Sequence, residues 1–311
     1  MKIGITGAGG YIGSRVTKLA LEEGYEVVPI DNGYNSQVQE VQGEKVIDQD
    51  VRNIEGLKEK FGDVDAIFHL AAITGIPECE EKEDLAYEVN VRGTENIARI
   101  CSENGIPLVF PMSMQVFGKV KEFPITEENS RRPVNNYGIT KTISEKTIEL
   151  LSKDSFPVYV FIKSNVYGTH EIKDKEISKG TVMNYFLDCA KKGEDLTVHS
   201  PGTQSKDFIH VKDVAKAYIK SLDSLIDGNN GKEAYLLASE QSTSIKALAD
   251  KIKGKAVEKE VSDPEVRIVE NPRENDSVAE KFDVDSSKIK DEIAFNPEYT
   301  LEDEIEKKFQ L

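Results

Sequence analysis

Apolar residues in the first half of the chain fall in short unbroken runs, at positions 3–6, 27–30, 66–70, 108–110 and 158–162. Between them lie longer stretches with apolar residues at helical spacing, at 11–23, 83–104 and 137–153. A strand buried on both faces reads as an unbroken run, because neither side of its pleat meets water, whereas a strand with one wet face alternates. Unbroken runs separated by helices therefore predict an α/β domain with a doubly wound parallel sheet.

Beyond residue 167 the alternation breaks down. Positions 168–206 mix charge and glycine around one helical stretch at 182–192, and 207–221 reads as a strand followed by a helix. From 239 onward the chain is polar and irregular, with Pro264, Pro272 and Pro297. The pattern predicts a second, smaller domain assembled from separated pieces. Residues 1–167 and 207–238 form the parallel-sheet domain, and 168–206 and 239–311 form the smaller C-terminal one. The charged stretch at 301–308 reads as a solvated helix face.

Composition narrows the function classes. With 311 residues the chain can bury a core that needs no disulfides. Cys79, Cys101 and Cys189 are odd in number, far apart and without a CxxC pair, so they read as reduced and no metal site is expected. A formal charge of −16 argues against nucleic-acid and anionic-membrane partners, which need a basic surface. No segment has the ~18 apolar residues of a membrane span, and no leader-like run precedes the first strand, so a cytoplasmic location is expected.

The first run leads directly into Gly7, Gly10 and Gly13, in the order GAGGYIG, and then into a helix whose Ile12, Val16, Leu19 and Ala20 share one face. Glycines in a strand-to-helix turn let the backbone approach a pyrophosphate, and the helix N-terminus offers it free N–H groups and a positive dipole end. Asp31 closes the second run, where a carboxylate accepts hydrogen bonds from an adenosine ribose and repels a 2′-phosphate. NAD is thus expected over NADP.

Tyr137 and Lys141, four residues apart, share one helix face. A phenol of pKa ~10 needs roughly 3 to 4 kcal/mol to become a base near neutral pH. A positive charge at ~4 Å supplies about that much at an effective dielectric near 20. Ser113 lies just past the run at 108–110, where open parallel sheets place their ligands, and can bridge a substrate hydroxyl to the tyrosine or hold an oxyanion.

With these residues in hand, the chain resembles the extended short-chain dehydrogenases/reductases. Within them it resembles the NAD-dependent nucleotide-sugar epimerase/dehydratase family, on the side of the UDP-glucose 4-epimerases. The resemblance spans nearly the whole chain through GAGGYIG at Gly7, Asp31-Asn32, Asp50-Val51, HLAA at His69, Asn90, Ser113 with VFG at Val116, YGITK at Tyr137, NVYG at Asn165, KDFIHVKDVA at Lys206 and PREND at Pro272. It implies a Rossmann domain in which Asp50 and Val51 meet the adenine, and Tyr11, Ile12, Asn32, Leu70, Ala71, Ala72 and Asn90 lie near the dinucleotide. Lys141 would also hold the nicotinamide ribose.

On the substrate side the resemblance implies Thr74, Ser113, Gln115, Tyr137, Asn165, Thr181, Lys206 and Arg273, the last as a clamp on the nucleotide diphosphate. Three positions depart from the family pattern: Lys206 and Ile162 stand where arginine is common, and Thr181 where asparagine is. His210 reads as structural. Dehydratases follow the Ser/Thr with acids that expel a hydroxyl, whereas Met114 and Gln115 follow Ser113 here, which argues against dehydration. The expected activity is C4 epimerisation of a UDP-sugar through a 4-keto intermediate, in a homodimer built on the helices at 83–104 and 137–153. The alternatives are a nucleotide-sugar reductase or decarboxylase, and a non-catalytic NAD-sensing protein.

Overall fold

The computed structural model describes residues 1–271 and 282–310. One sheet holds seven parallel strands, in the order Gly231–Leu237, Pro157–Lys163, Leu108–Ser113, Ala66–His69, Lys2–Thr6, Glu26–Asp31, Ile47–Asp48. All five apolar runs are strands of this sheet. Their side chains alternate between two cores: Phe68 and Val109 pack on one face, and Ile67, Leu108 and Phe110 on the other. The helices Tyr11–Glu22 and Val211–Lys220 cover the first face. The helices Ile54–Phe61, Thr94–Asn104 and Asn136–Ser152 cover the second.

The chain steps outward from Lys2–Thr6 to Glu26–Asp31 and Ile47–Asp48, then crosses back to Ala66–His69 on the other side. This reversal leaves a crevice above the carboxyl ends of Lys2–Thr6 and Ala66–His69.

Ser205–His210 pairs with Asn165–Tyr167 and Ser242–Ser244 in a separate three-stranded sheet. Beside it a third apolar cluster gathers Tyr167, Phe186, Phe208, Leu248, Ile252 and Phe309.

Three stretches refine or depart from the sequence expectation. The region after 239 is not irregular, since Ile245–Glu258 is a helix capped by Ser244, whose Oγ accepts the Ala247 N–H at 3.1 Å. Its buried Leu248, Ala249, Ile252 and Ala256 form one face, concealed in the sequence by intervening lysines. The helix Leu301–Phe309 is likewise solvated on one side only, because Leu301, Ile305 and Phe309 are buried in the third cluster. The stretch at 83–104 is helical but broken into Glu83–Tyr87 and Thr94–Asn104 by a wide π-helical turn, Glu88–Gly93.

Candidate active site

The crevice is a cavity of about 560 Å³. Gly7, Gly10, Tyr11, Ile12 and Gly13 line one end, Asp31, Asn32 and Val51 another, and Leu70, Ala71, Ala72 and Thr74 the floor. Gly7 has a φ of +68°, and a Cβ there would sit 2.7 Å from the Ala71 nitrogen. A Cβ on Gly13 would stand 1.9 Å from the Gly7 carbonyl oxygen. These two glycines let the helix Tyr11–Glu22 start directly at the strand end. Its cap, Gly10, makes no side-chain capping bond, so the first N–H groups remain available to a ligand's phosphates. The Asp31 carboxylate accepts from the Gly9 N–H at 3.1 Å and the Gly33 N–H at 2.8 Å, which fixes it at the rim. These residues fit a dinucleotide.

Gly9 was not singled out by the spacing, yet a Cβ there would meet the Ser36 hydroxyl at 1.9 Å and the Val38 carbonyl at 2.7 Å. Tyr34, Gln37, Arg52, Glu78 and Lys179 also line the cavity and carry no motif that would have found them.

Two residues expected at the cofactor do other work in the protein itself. Asp50 accepts from Arg52 Nε at 2.9 Å and Nη2 at 2.8 Å and from Asn32 Nδ2 at 2.9 Å, and this company holds its carboxyl down at about 2. Its neighbours Val51 and Arg52 line the cavity, while Asp50 does not. Asn90 is buried in the π-helical turn, where its side chain accepts from Ile73 N at 2.8 Å and donates to Ile73 O at 3.0 Å and Thr140 Oγ1 at 3.1 Å. It braces the cavity floor from behind. His69 does the same from the strand, lying between Thr6 Oγ1 at 2.8 Å and Thr94 Oγ1 at 3.0 Å, and burial takes its pKa to about 3.

Ser113 ends its strand, and its Oγ accepts the Gln115 N–H at 3.3 Å. Asn135 caps the helix Asn136–Ser152 through the Gly138 N–H at 2.8 Å and donates to the Gln115 side chain at 3.1 Å. The first helical turn thereby rests on the residues just after Ser113. Tyr137 packs in one apolar cluster with Val51, Ile73 and Val89, all three of which line the cavity. One turn on, the Lys141 ammonium lies 3.8 Å above the Phe110 ring.

The electrostatics differ from the sequence argument. Burial raises Tyr137 above its ordinary value, and burial together with the nearby Lys163 takes Lys141 well below its own. The protein's own atoms therefore push both groups toward their neutral forms.

Of the residues expected on the substrate side Thr74 lines the cavity, whereas Ser113, Gln115, Tyr137, Asn165, Thr181 and Lys206 do not, nor does Lys141. Asn165 donates to the Asp207 carbonyl at 3.0 Å, and Lys206 lies 5.7 Å over the Phe282 ring. Thr181 caps the helix Val182–Lys192, and its buried hydroxyl has no protein partner. Arg273 lies outside the described residues. His210 caps Val211–Lys220 by accepting the Lys212 N–H at 3.1 Å and stacks on Tyr299, a structural role.

A dinucleotide crevice with a buried tyrosine packed against its wall and a buried lysine one helical turn on is the layout of an NAD-linked redox enzyme. The chain belongs to the NAD dependent epimerase/dehydratase family, whose model matches residues 3–238. It is 28% identical to a putative UDP-glucose 4-epimerase of Methanocaldococcus jannaschii, over 97% of this chain and 95% of that one. It is 28% identical to a UDP-N-acetyl-alpha-D-glucosaminuronate decarboxylase of Bacillus cytotoxicus, over 80% and 78% of the two chains. Its fold matches the crystal structure of a UDP-glucose 4-epimerase from Thermotoga maritima with a TM-score of 0.86, at 22% identity over 99% and 97% of the two chains.

Proposed function

We propose that this protein is an NAD-dependent nucleotide-sugar epimerase that inverts C4 of a UDP-sugar through a transient 4-keto sugar. One observation carries the reading: Tyr137 packs against Val51, Ile73 and Val89, the walls of the dinucleotide cavity, on a helix whose start is braced against the turn after Ser113. Bound NAD supplies a reversible hydride acceptor. Tyr137 takes the C4 hydroxyl proton, Ser113 holds the same oxygen, and Lys141, which regains its charge beside the anionic phenolate, stabilises it. Once the 4-keto sugar has turned over, Tyr137 would give the proton back to the C4 oxygen, and the inverted hydroxyl would result. Met114 and Gln115 offer no acid to expel a hydroxyl, which weighs against dehydration.

In this reading 1–167 and 207–238 hold the cofactor, and 168–206 and 239–311 hold the nucleotide-sugar, with Asn165, Thr181, Lys206 and Arg273 on the substrate side. A homodimer fits the exposed apolar residues Tyr87, Ile139, Ile143 and Leu150, which lie on the helical segments expected to pair. Among the described residues no helix is long and apolar enough to cross a membrane.

The test is a panel of UDP-, GDP-, dTDP- and CDP-sugars with product NMR. Inversion without net NADH is the expected outcome. Net consumption of added NADH, or loss of carbon dioxide, would replace epimerase by a reductase or decarboxylase, and no conversion of any sugar would overturn the reading.

A further inference from the structure

Three lysines act on one another at and behind the cavity wall, where Lys179 lines the cavity, Lys141 lies buried and Lys163 partly buried: Lys163 disfavours charge on Lys141, and Lys179 disfavours it on Lys163. Their closest polar contacts are neutral. Lys141 lies over Phe110, Lys163 donates to the Met112 carbonyl at 2.9 Å, and Lys179 donates to the Thr74 hydroxyl at 2.5 Å. Among the described residues none of the three reaches a carboxylate at ion-pair distance. Glu78, the acid that acts on Lys179, is already engaged by the Tyr34 hydroxyl and by Lys82. Lysines held toward neutrality for want of a protein counter-ion take up their protons when a ligand brings an anion beside them.

Position says which anion. Lys163 pairs in register with Ser113 across adjacent parallel strands, so the two side chains leave the same face of the sheet about 4.8 Å apart at their roots. The strand that feeds the glycine turn is three strands away, roughly 14 Å, which puts the dinucleotide phosphates out of reach of Lys163. The residue beside Ser113 meets the sugar rather than a diphosphate. Its ammonium has three donors and gives one to Met112, leaving two for a carboxylate.

We propose that Lys163 is a specificity-determining residue that receives a carboxylate carried on the sugar, so that the substrate is a nucleoside-diphosphate uronate. This rests on the epimerase reading for the placement of the sugar at Ser113. Of the other lysines, Lys141 serves Tyr137, and Lys179 closes over the cavity floor at Thr74.

The experiment is calorimetry of the NAD-loaded protein with UDP-glucuronate, UDP-glucose and UDP, paired with product NMR on both sugars. Wild type should bind the uronate about tenfold tighter than the neutral sugar. Lys163→Met should erase that preference with little effect on UDP, and Lys163→Arg should keep part of it. Thermal unfolding of each variant reports whether it folds, and the wild-type preference stands as a test independent of both. Equal wild-type affinities, or a Lys163→Met loss shared by UDP and both sugars, would overturn the assignment. Inversion of UDP-glucose without a uronate preference would sink the assignment and spare the epimerase reading. A selective uronate affinity with neither sugar inverted would do the reverse.

Discussion

Gly138 lies so close to the Gln115 carbonyl that a Cβ on it would stand 2.7 Å from that oxygen and 2.9 Å from Pro133 Cβ. This contact fixes the helix bearing Tyr137 against the turn that follows Ser113, and no side-chain rotation can relieve a clash there. Gly138→Ala must therefore move the first helical turn. Turnover should fall by ~10-fold or more through misplacement of the base, with stability lower by ~1–3 kcal/mol. Product NMR and thermal unfolding check both, and wild-type turnover in a destabilised variant would show that this spacing does not limit the reaction.

Tyr137→Phe keeps the ring in its apolar cluster and removes the hydroxyl, so activity should drop by at least ~10². NAD affinity by calorimetry should hold. Burial raises the Tyr137 pKa, so the rate of the native protein should climb with pH as the phenol ionises. Lys141→Ala should carry that limb to still higher pH. Retention of wild-type turnover in Tyr137→Phe would send the search for the base elsewhere in the cleft.

Cofactor choice should follow Asp31, whose carboxylate is held at the rim by the Gly9 and Gly33 N–H groups. Wild type is expected to bind NAD about tenfold or more tighter than NADP, and Asp31→Ala to narrow the gap. Gly13→Ala places a methyl 1.9 Å from the Gly7 carbonyl and should abolish binding of both cofactors. Equal wild-type affinities in titration calorimetry would remove Asp31 from this role.

Lys163 should cost the protein stability. Burial and Lys179 take its pKa to about 7, against 10.5 for a free lysine. Below pH 7 the folded state carries the full penalty of the charge. Between 7 and 10.5 the folded protein releases the proton while the unfolded chain keeps it, so the penalty shrinks as pH rises and is gone above 10.5. Lys163→Met should thus stabilise the protein by ~2 kcal/mol or more at pH 6 and by almost nothing above pH 11. Urea unfolding at the two pH values reads the difference, and a destabilised variant at pH 6 would show that the ammonium contributes net favourable contacts.

The parallel sheet was legible because its strands are buried on both faces and their apolar runs leave little else to conclude. The glycine turn was legible for a similar reason, since Gly7 and Gly13 occupy places no side chain could share. The helix Ile245–Glu258 escaped because only Leu248, Ala249, Ile252 and Ala256 face the core, and its lysines and Gly254 mask that stripe. Asn90 and Asp50 illustrate a different limit. A motif announces that a polar residue matters near a site, but whether it faces the ligand or braces the wall depends on which backbone groups the fold brings to it. Lys163 shows the same from the other side, since nothing in its local sequence says that a neighbouring strand sets it in register with Ser113.

The wide turn at Glu88–Gly93 works as a phase shifter. An ordinary helix advances about 100° per residue, so one additional residue in a turn rotates everything downstream by that angle. Here the turn lets Asn90 reach inward to Ile73, while Thr94–Asn104 realigns to seat Ile97, Ala98 and Cys101 in the sheet-facing core. Deleting a single residue from this turn would leave composition and length almost unchanged, yet it would put the two halves out of step, so that either the brace on the cavity floor or the packing of the core had to be surrendered.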